Sequence, residues 1–109
     1  MIYEERVYTI VPGKMHDINN RFANVTMRLF EKHGMKVVGF WQTIIGSNSI
    51  NELVYILAFE NLAHRQAAWE AFMTDEEWQQ AKRESEKDGP LVSNVANKIL
   101  KPTPYSPIQ

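Results

Sequence analysis

The chain has 109 residues, enough for one domain with a core of its own, and its 44% hydrophobic and 23% charged residues are ordinary for a globular protein. Its formal net charge is -1 and its Lys and Arg residues form no cluster, which argues against a nucleic-acid partner. It has no Cys for disulfides or thiol chemistry, and no apolar stretch approaches the ~20 residues of a membrane helix.

Ile2 to Val11 reads as a first strand. Alternation puts Ile2, Glu4, Arg6, Tyr8 and Ile10 on one face and Tyr3, Glu5, Val7, Thr9 and Val11 on the other. The same segment lacks a basic region followed by an apolar run, so no signal peptide is expected and a cytoplasmic location is. Pro12-Gly13 breaks the strand. Lys14 to His33 then carries Met15, Ile18, Phe22, Val25 and Leu29 at steps of three and four, the apolar stripe of an amphipathic helix. Gly34 suits the left-handed position after the helix, and Lys32 and His33 suit its negative end.

The most apolar part of the chain follows. Val37 to Ile45 and Glu52 to Phe59 are β-branched and aromatic runs joined by the turn formers Gly46, Ser47, Asn48 and Ser49, and predict a hairpin. In the first run Val37, Gly39, Trp41, Thr43 and Ile45 share a face; in the second, Leu53, Tyr55, Leu57 and Phe59 oppose Val54, Ile56 and Ala58. Neither face is plainly polar, so both are expected to be covered, one by helices and the other by a second copy of the chain. Asn61 can cap a helix over Leu62 to Met73, and Thr74 to Glu77 has the capping-box pattern for another. Asp88-Gly89-Pro90 stops that helix, Leu91 to Leu100 reads as a last strand, and 101–109 is a proline-rich tail expected to run extended.

The order strand, helix, strand, strand, helix, strand predicts an α+β, ferredoxin-like βαββαβ domain over 1–109: one four-stranded antiparallel sheet with its helices on one face. Two such sheets packed face to face would enclose a barrel between subunits. Specific segments also resemble the NIPSNAP family. These are the opening IYEERVYTIVPGK, the strand VVGFWQTIIG, NELVYILAFENLAHR with Arg65, DEEW at 75–78 and the close at Ser106-Pro107. Glu76 departs from the pattern, standing where the family usually has Pro, and Glu5 and Leu57 stand where it usually has an apolar and an aromatic residue respectively. The resemblance implies a dimeric α/β barrel related to small monooxygenases, haem-degrading enzymes and lyases. It carries no catalytic residues with it.

Glu4, Arg6 and Tyr8 form the leading candidate site, expected to look into the inter-subunit space. An acid, a cation and a phenol around an apolar space suit a small anionic or carbonyl ligand. The simpler reading is a buried ion pair of Arg6 with Glu4. Trp41, Tyr55 and Phe59 are candidates for the walls of that pocket, although hairpin aromatics are more often core. His16, His33 and His64 lack metal-ligand spacing, and there is no nucleotide-binding or nucleophile-elbow motif, so neither a metal nor a cofactor is expected. Two functions fit: a homodimer binding a small apolar or anionic molecule, acting as a cofactor-independent monooxygenase or isomerase, or a non-catalytic interaction dimer with a filled barrel.

Overall fold

A computed structural model describes all of residues 1–109. The elements are β1 (Ile2–Ile10), α1 (Met15–Arg21), α2 (Met27–Lys32), β2 (Lys36–Gln42), β3 (Glu52–Phe59), α3 (Leu62–Met73), α4 (Glu76–Ser85) and β4 (Val92–Leu100). The strands form one antiparallel sheet in the order β2-β3-β1-β4. This is the ferredoxin-like α+β fold that the order of apolar patterns predicts. The core lies between the sheet and its helical layer, where Ile10, Leu53, Leu57 and Phe59 meet Ile18, Leu29, Phe30, Ala68 and Phe72. No helix is long and apolar enough to cross a membrane.

The first helix is not regular throughout. A π-helical segment, Phe22–Thr26, joins α1 to α2. Within it the Thr26 hydroxyl donates to the carbonyl of Arg21, 3.3 Å away and five residues back. A wide turn of this kind changes which side chains point inward, and it often occurs beside a functional site.

In β2 the face assignment from simple alternation fails at one residue. Val37 lies opposite Leu57 and Gly39 opposite Ile56, so Val38 is an extra residue with no partner. This bulge sends Val37 and Phe40 to the helix side of the sheet and Gly39 and Trp41 to the open side. The Trp41 indole lies across Gly39; a Cβ there would sit 2.6 Å from the ring, so no larger residue fits unless the indole moves. The strand also ends at Gln42, short of Ile45, and Ile44 and Ile45 stand in solvent. The Thr43 amide makes the last ladder bond, to the Glu52 carbonyl at 3.2 Å.

The helix ends repeat this mixture. Asn61 caps α3, accepting from the His64 amide at 2.8 Å, and Gly34 takes φ 73° after α2, both as the sequence predicts. The cap of α4, however, is Asp75, which accepts from the Glu77 amide at 2.8 Å. Thr74 still has helical backbone at the end of α3 and donates to the Glu70 carbonyl instead. The tail is not extended away from the domain. The Ser106 amide bonds the Thr103 carbonyl, and the chain turns back so that Tyr3 donates to the Gln109 carbonyl at 2.7 Å.

Candidate functional site

Glu4 is fully buried and accepts five hydrogen bonds. Arg65 grips it with two, from Nε at 2.9 Å and from Nη2 at 3.0 Å. Trp69 Nε1 donates at 2.8 Å, Asn97 at 2.9 Å and Arg6 Nη1 at 3.0 Å. Arg65 and Trp69 reach one carboxylate because they stand four residues apart on the same face of α3. Burial works against the charge on Glu4 and is the largest single influence on it. The hydrogen bonds from Arg65, Trp69 and Asn97, with the charge of Arg6, outweigh it and hold the carboxyl at about 2.

Arg6 links this knot to a chain of hydroxyls. Its Nε donates to the Tyr55 oxygen at 2.8 Å, and the Tyr55 and Tyr8 oxygens are 2.8 Å apart. The direction of the second bond follows from counting donors. Tyr55 is completely buried and has no other acceptor within reach, so its one proton goes to Tyr8. Burial pushes the Tyr55 phenol well above its usual range, with Tyr8 adding to the effect, so it stays protonated. The chain therefore runs Arg6 to Tyr55 to Tyr8, and the Tyr8 proton is left without a protein acceptor.

Tyr8 opens on a cavity of about 350 Å³ between the sheet and the helices. Its walls are largely aromatic: Phe22, Phe30, Tyr55, Trp69, Phe72 and Trp78. Phe22 sits 5.4 Å from Tyr55, and Trp78 packs 4.7 Å from Phe72. Arg6 also lines the cavity, with its guanidinium 4.5 Å from the Trp69 ring. Arg21 enters from the last turn of α1 and lies 5.0 Å from the Trp78 ring. Its Nη1 bonds Ser85 Oγ at 3.2 Å and Glu86 Oε2 at 3.1 Å, while its buried Nε has no partner. The rim is polar and exposed, with Lys82, Ser93 and Asn94.

The comparisons with known proteins agree over nearly the whole length. A family model described as NIPSNAP matches residues 3–107. The chain belongs to the NIPSNAP family. It is 32% identical to mouse protein NipSnap homolog 3B over 78 residues, which are 72% of this chain and 30% of that protein. The chain thus spans about a third of the length of the curated relatives it matches. A NIPSNAP family protein with unknown function from Agrobacterium tumefaciens superimposes with a TM-score of 0.86 at 29% identity, covering 100% of this chain and 94% of that one. A putative antibiotic biosynthesis monooxygenase from Nitrosomonas europaea shares the fold, with a TM-score of 0.65 at 11% identity over 94% of this chain and 98% of that one.

On this NIPSNAP scaffold the candidate residues separate. Glu4, Arg6 and Tyr8 do share a face, but it is the one under the helices, not the open face of the sheet. Tyr55 joins them. Phe59 is core at the far end of β3, 5.5 Å from the His64 ring, and Trp41 lies on the open face because of the bulge at Val38. Phe40 takes the place expected of Trp41, stacked on Tyr55 at 4.7 Å. His33 is not in the cavity; it bonds Asp75 at 2.8 Å. Alternation and apolar steps alone missed Arg21, although it stands three residues after Ile18 and four before Val25, within the buried stripe.

Proposed function

We propose that this NIPSNAP domain binds a small molecule in the cavity between the sheet and the helices of each subunit, and that two copies pair through the open faces of their sheets. The observation that carries the first part is the Tyr8 hydroxyl. Its proton has no acceptor in the protein, and it faces an aromatic cavity behind which Arg6 supplies positive charge. Such a donor suits an oxygen that gains negative charge, as a carbonyl does on enolisation or oxygenation. Cofactor-independent chemistry on a carbonyl compound is the reaction class this favours. The fold shared with the Nitrosomonas protein is compatible with that class and adds nothing to it at 11% identity.

The pairing is supported by the open face. Val7, Val54, Ile56 and Trp41 point away from the helices, and Trp41 is half exposed. A sheet face so apolar is unusual against water. Native mass spectrometry of gently purified protein tests both parts. The expected species is a dimer with a small adduct, and Tyr8→Phe keeps the dimer while adduct occupancy falls about tenfold, the worth of one hydrogen bond. A monomer overturns the pairing; full occupancy in Tyr8→Phe overturns the role of the hydroxyl.

A further inference from the structure

We infer that the ligand of this cavity is a flat enol or phenol, bound as its anion with its one charged oxygen between the Tyr8 hydroxyl and Nη2 of Arg6. The inference rests on the reading that the cavity is a ligand site, and it names the class of ligand.

Two donors meet the cavity from β1. One is the Tyr8 hydroxyl, whose proton has no acceptor in the protein. The other is on Arg6. Its Nε is engaged by Tyr55 and its Nη1 by Glu4, which leaves Nη2 without a hydrogen bond. Nη2 is not closed off, because Arg21 Nε alone is a side-chain donor both buried and unpartnered. Arg6 lines the cavity and its side chain keeps 17% of its surface exposed, so Nη2 is the corner that a guest can reach. The two donors converge. Arg6 Nε and the Tyr8 oxygen each lie 2.8 Å from the Tyr55 oxygen, and the guanidinium carbon is 5.7 Å from the centre of the Tyr8 ring.

Charge decides the state of the oxygen they meet. The knot around Glu4 holds two guanidinium groups against one carboxylate, so one positive charge is unmatched within the protein. Arg21 is paired with Glu86, and Lys82 at the rim adds a further positive charge. A largely buried cation without a counter-ion favours an anionic guest over a neutral carbonyl. Donor count narrows the class. With Nε and Nη1 both engaged, neither edge of the Arg6 guanidinium is free to hold two oxygens. A carboxylate here would leave its second oxygen against aromatic walls, and an unmet buried acceptor is costly. A phenolate or enolate has one charged oxygen, and both donors can meet it. Its conjugated plane suits walls that include Phe22, Trp69 and Phe72, and a volume near the low end of the ~300–1,000 Å³ usual for ligand sites. The two donors hold their own protons, so the proton the ligand gives up leaves to water.

The probe is 4-nitrophenol, because its anion absorbs visible light and its neutral form does not. The intact protein is titrated with it at about one pH unit below the ligand's own pKa, where the free ligand is mostly neutral. The expected result is saturable growth of the visible band, with the anion bound at least about tenfold more tightly than the phenol. Affinity should rise with pH until the ligand is fully ionised. Where both are ionised, 4-nitrobenzoate should bind severalfold more weakly than the phenolate. Tyr8→Phe should cut the preference for the anion about tenfold, the worth of one hydrogen bond to a charged oxygen. Arg6→Gln should remove it; if that variant does not fold, Tyr8→Phe and the pH profile of the wild type decide. A bound ligand that stays colourless, an affinity that falls as pH rises through the ligand's pKa, a benzoate that binds as tightly, or a preference that survives Tyr8→Phe overturns the inference while leaving a ligand site in the cavity. Binding of neither probe overturns it as well, and the adduct and Tyr8→Phe results in mass spectrometry then judge the cavity separately.

Discussion

Arg65 and Arg21 are both arginines on helices, one reaching the sheet and the other reaching α4, and they end in opposite conditions. Arg65 closes on a carboxylate that receives five hydrogen bonds and has no capacity to spare. Arg21 closes on Glu86 at one corner only and keeps a buried nitrogen without a partner. The difference separates a polar cluster in which every buried donor is used from one that leaves a donor buried without a partner.

The comparison can be broken first at Glu4. Glu4→Gln removes the charge that Arg65, Arg6, Trp69 and Asn97 converge on and turns an amide donor toward other donors. Loss of one partner of a buried ion cluster should cost about 3–5 kcal/mol in urea unfolding. A loss below about 1 kcal/mol would mean that the knot is not structural. Acid sharpens the same point. The Glu4 carboxyl is held at about 2 in the folded protein against an ordinary 4.5, so its contribution is complete above about pH 4.5 and is lost as pH falls toward 2. The urea midpoint of the wild type should drop through that window, and Glu4→Gln should lack this part of the drop. The smallest effect belongs to Arg21. Arg21→Gln removes a buried cation from Ser85, Glu86 and the Trp78 ring but leaves Glu86 partly exposed to water, and should cost about 1–3 kcal/mol. A loss as large as that at Glu4 would put both arginines in the same structural class.

Much of the fold was legible because strong local rules agreed. The apolar run Leu53 to Phe59 marks β3 as a strand, and Leu53, Tyr55, Leu57 and Phe59, which share a face, are all buried. Asn61 and Gly34 behave as their side chain and backbone demand. The site was legible in its residue types but not in its location. Glu4, Arg6 and Tyr8 stood out as polar groups on a buried strand, yet alternation says only that they share a face, not which layer covers it. Their partners come from α3 and β4, 61 and 93 residues along the chain for Arg65 and Asn97, and no local pattern joins them. Trp41 was misplaced by one unpaired residue, Val38, whose bulge no periodicity signals. Thr74 lost the cap to Asp75 because it keeps a helical backbone as the residue that closes α3.

The one-way chain from Arg6 through Tyr55 to Tyr8 has a consequence for what the cavity refuses. Every step passes a donor forward, so the group that meets the guest is a donor too. An ammonium ion carries donors only, and would meet the Tyr8 proton with the charge of Arg6 behind it. The polarity of the wiring thus favours an acceptor oxygen over an amine at Tyr8. A Tyr8 without its neighbour could rotate its hydroxyl to suit either kind of visitor; bound to Tyr55, it cannot. The buried tyrosine, which touches no guest, is what makes the entrance selective.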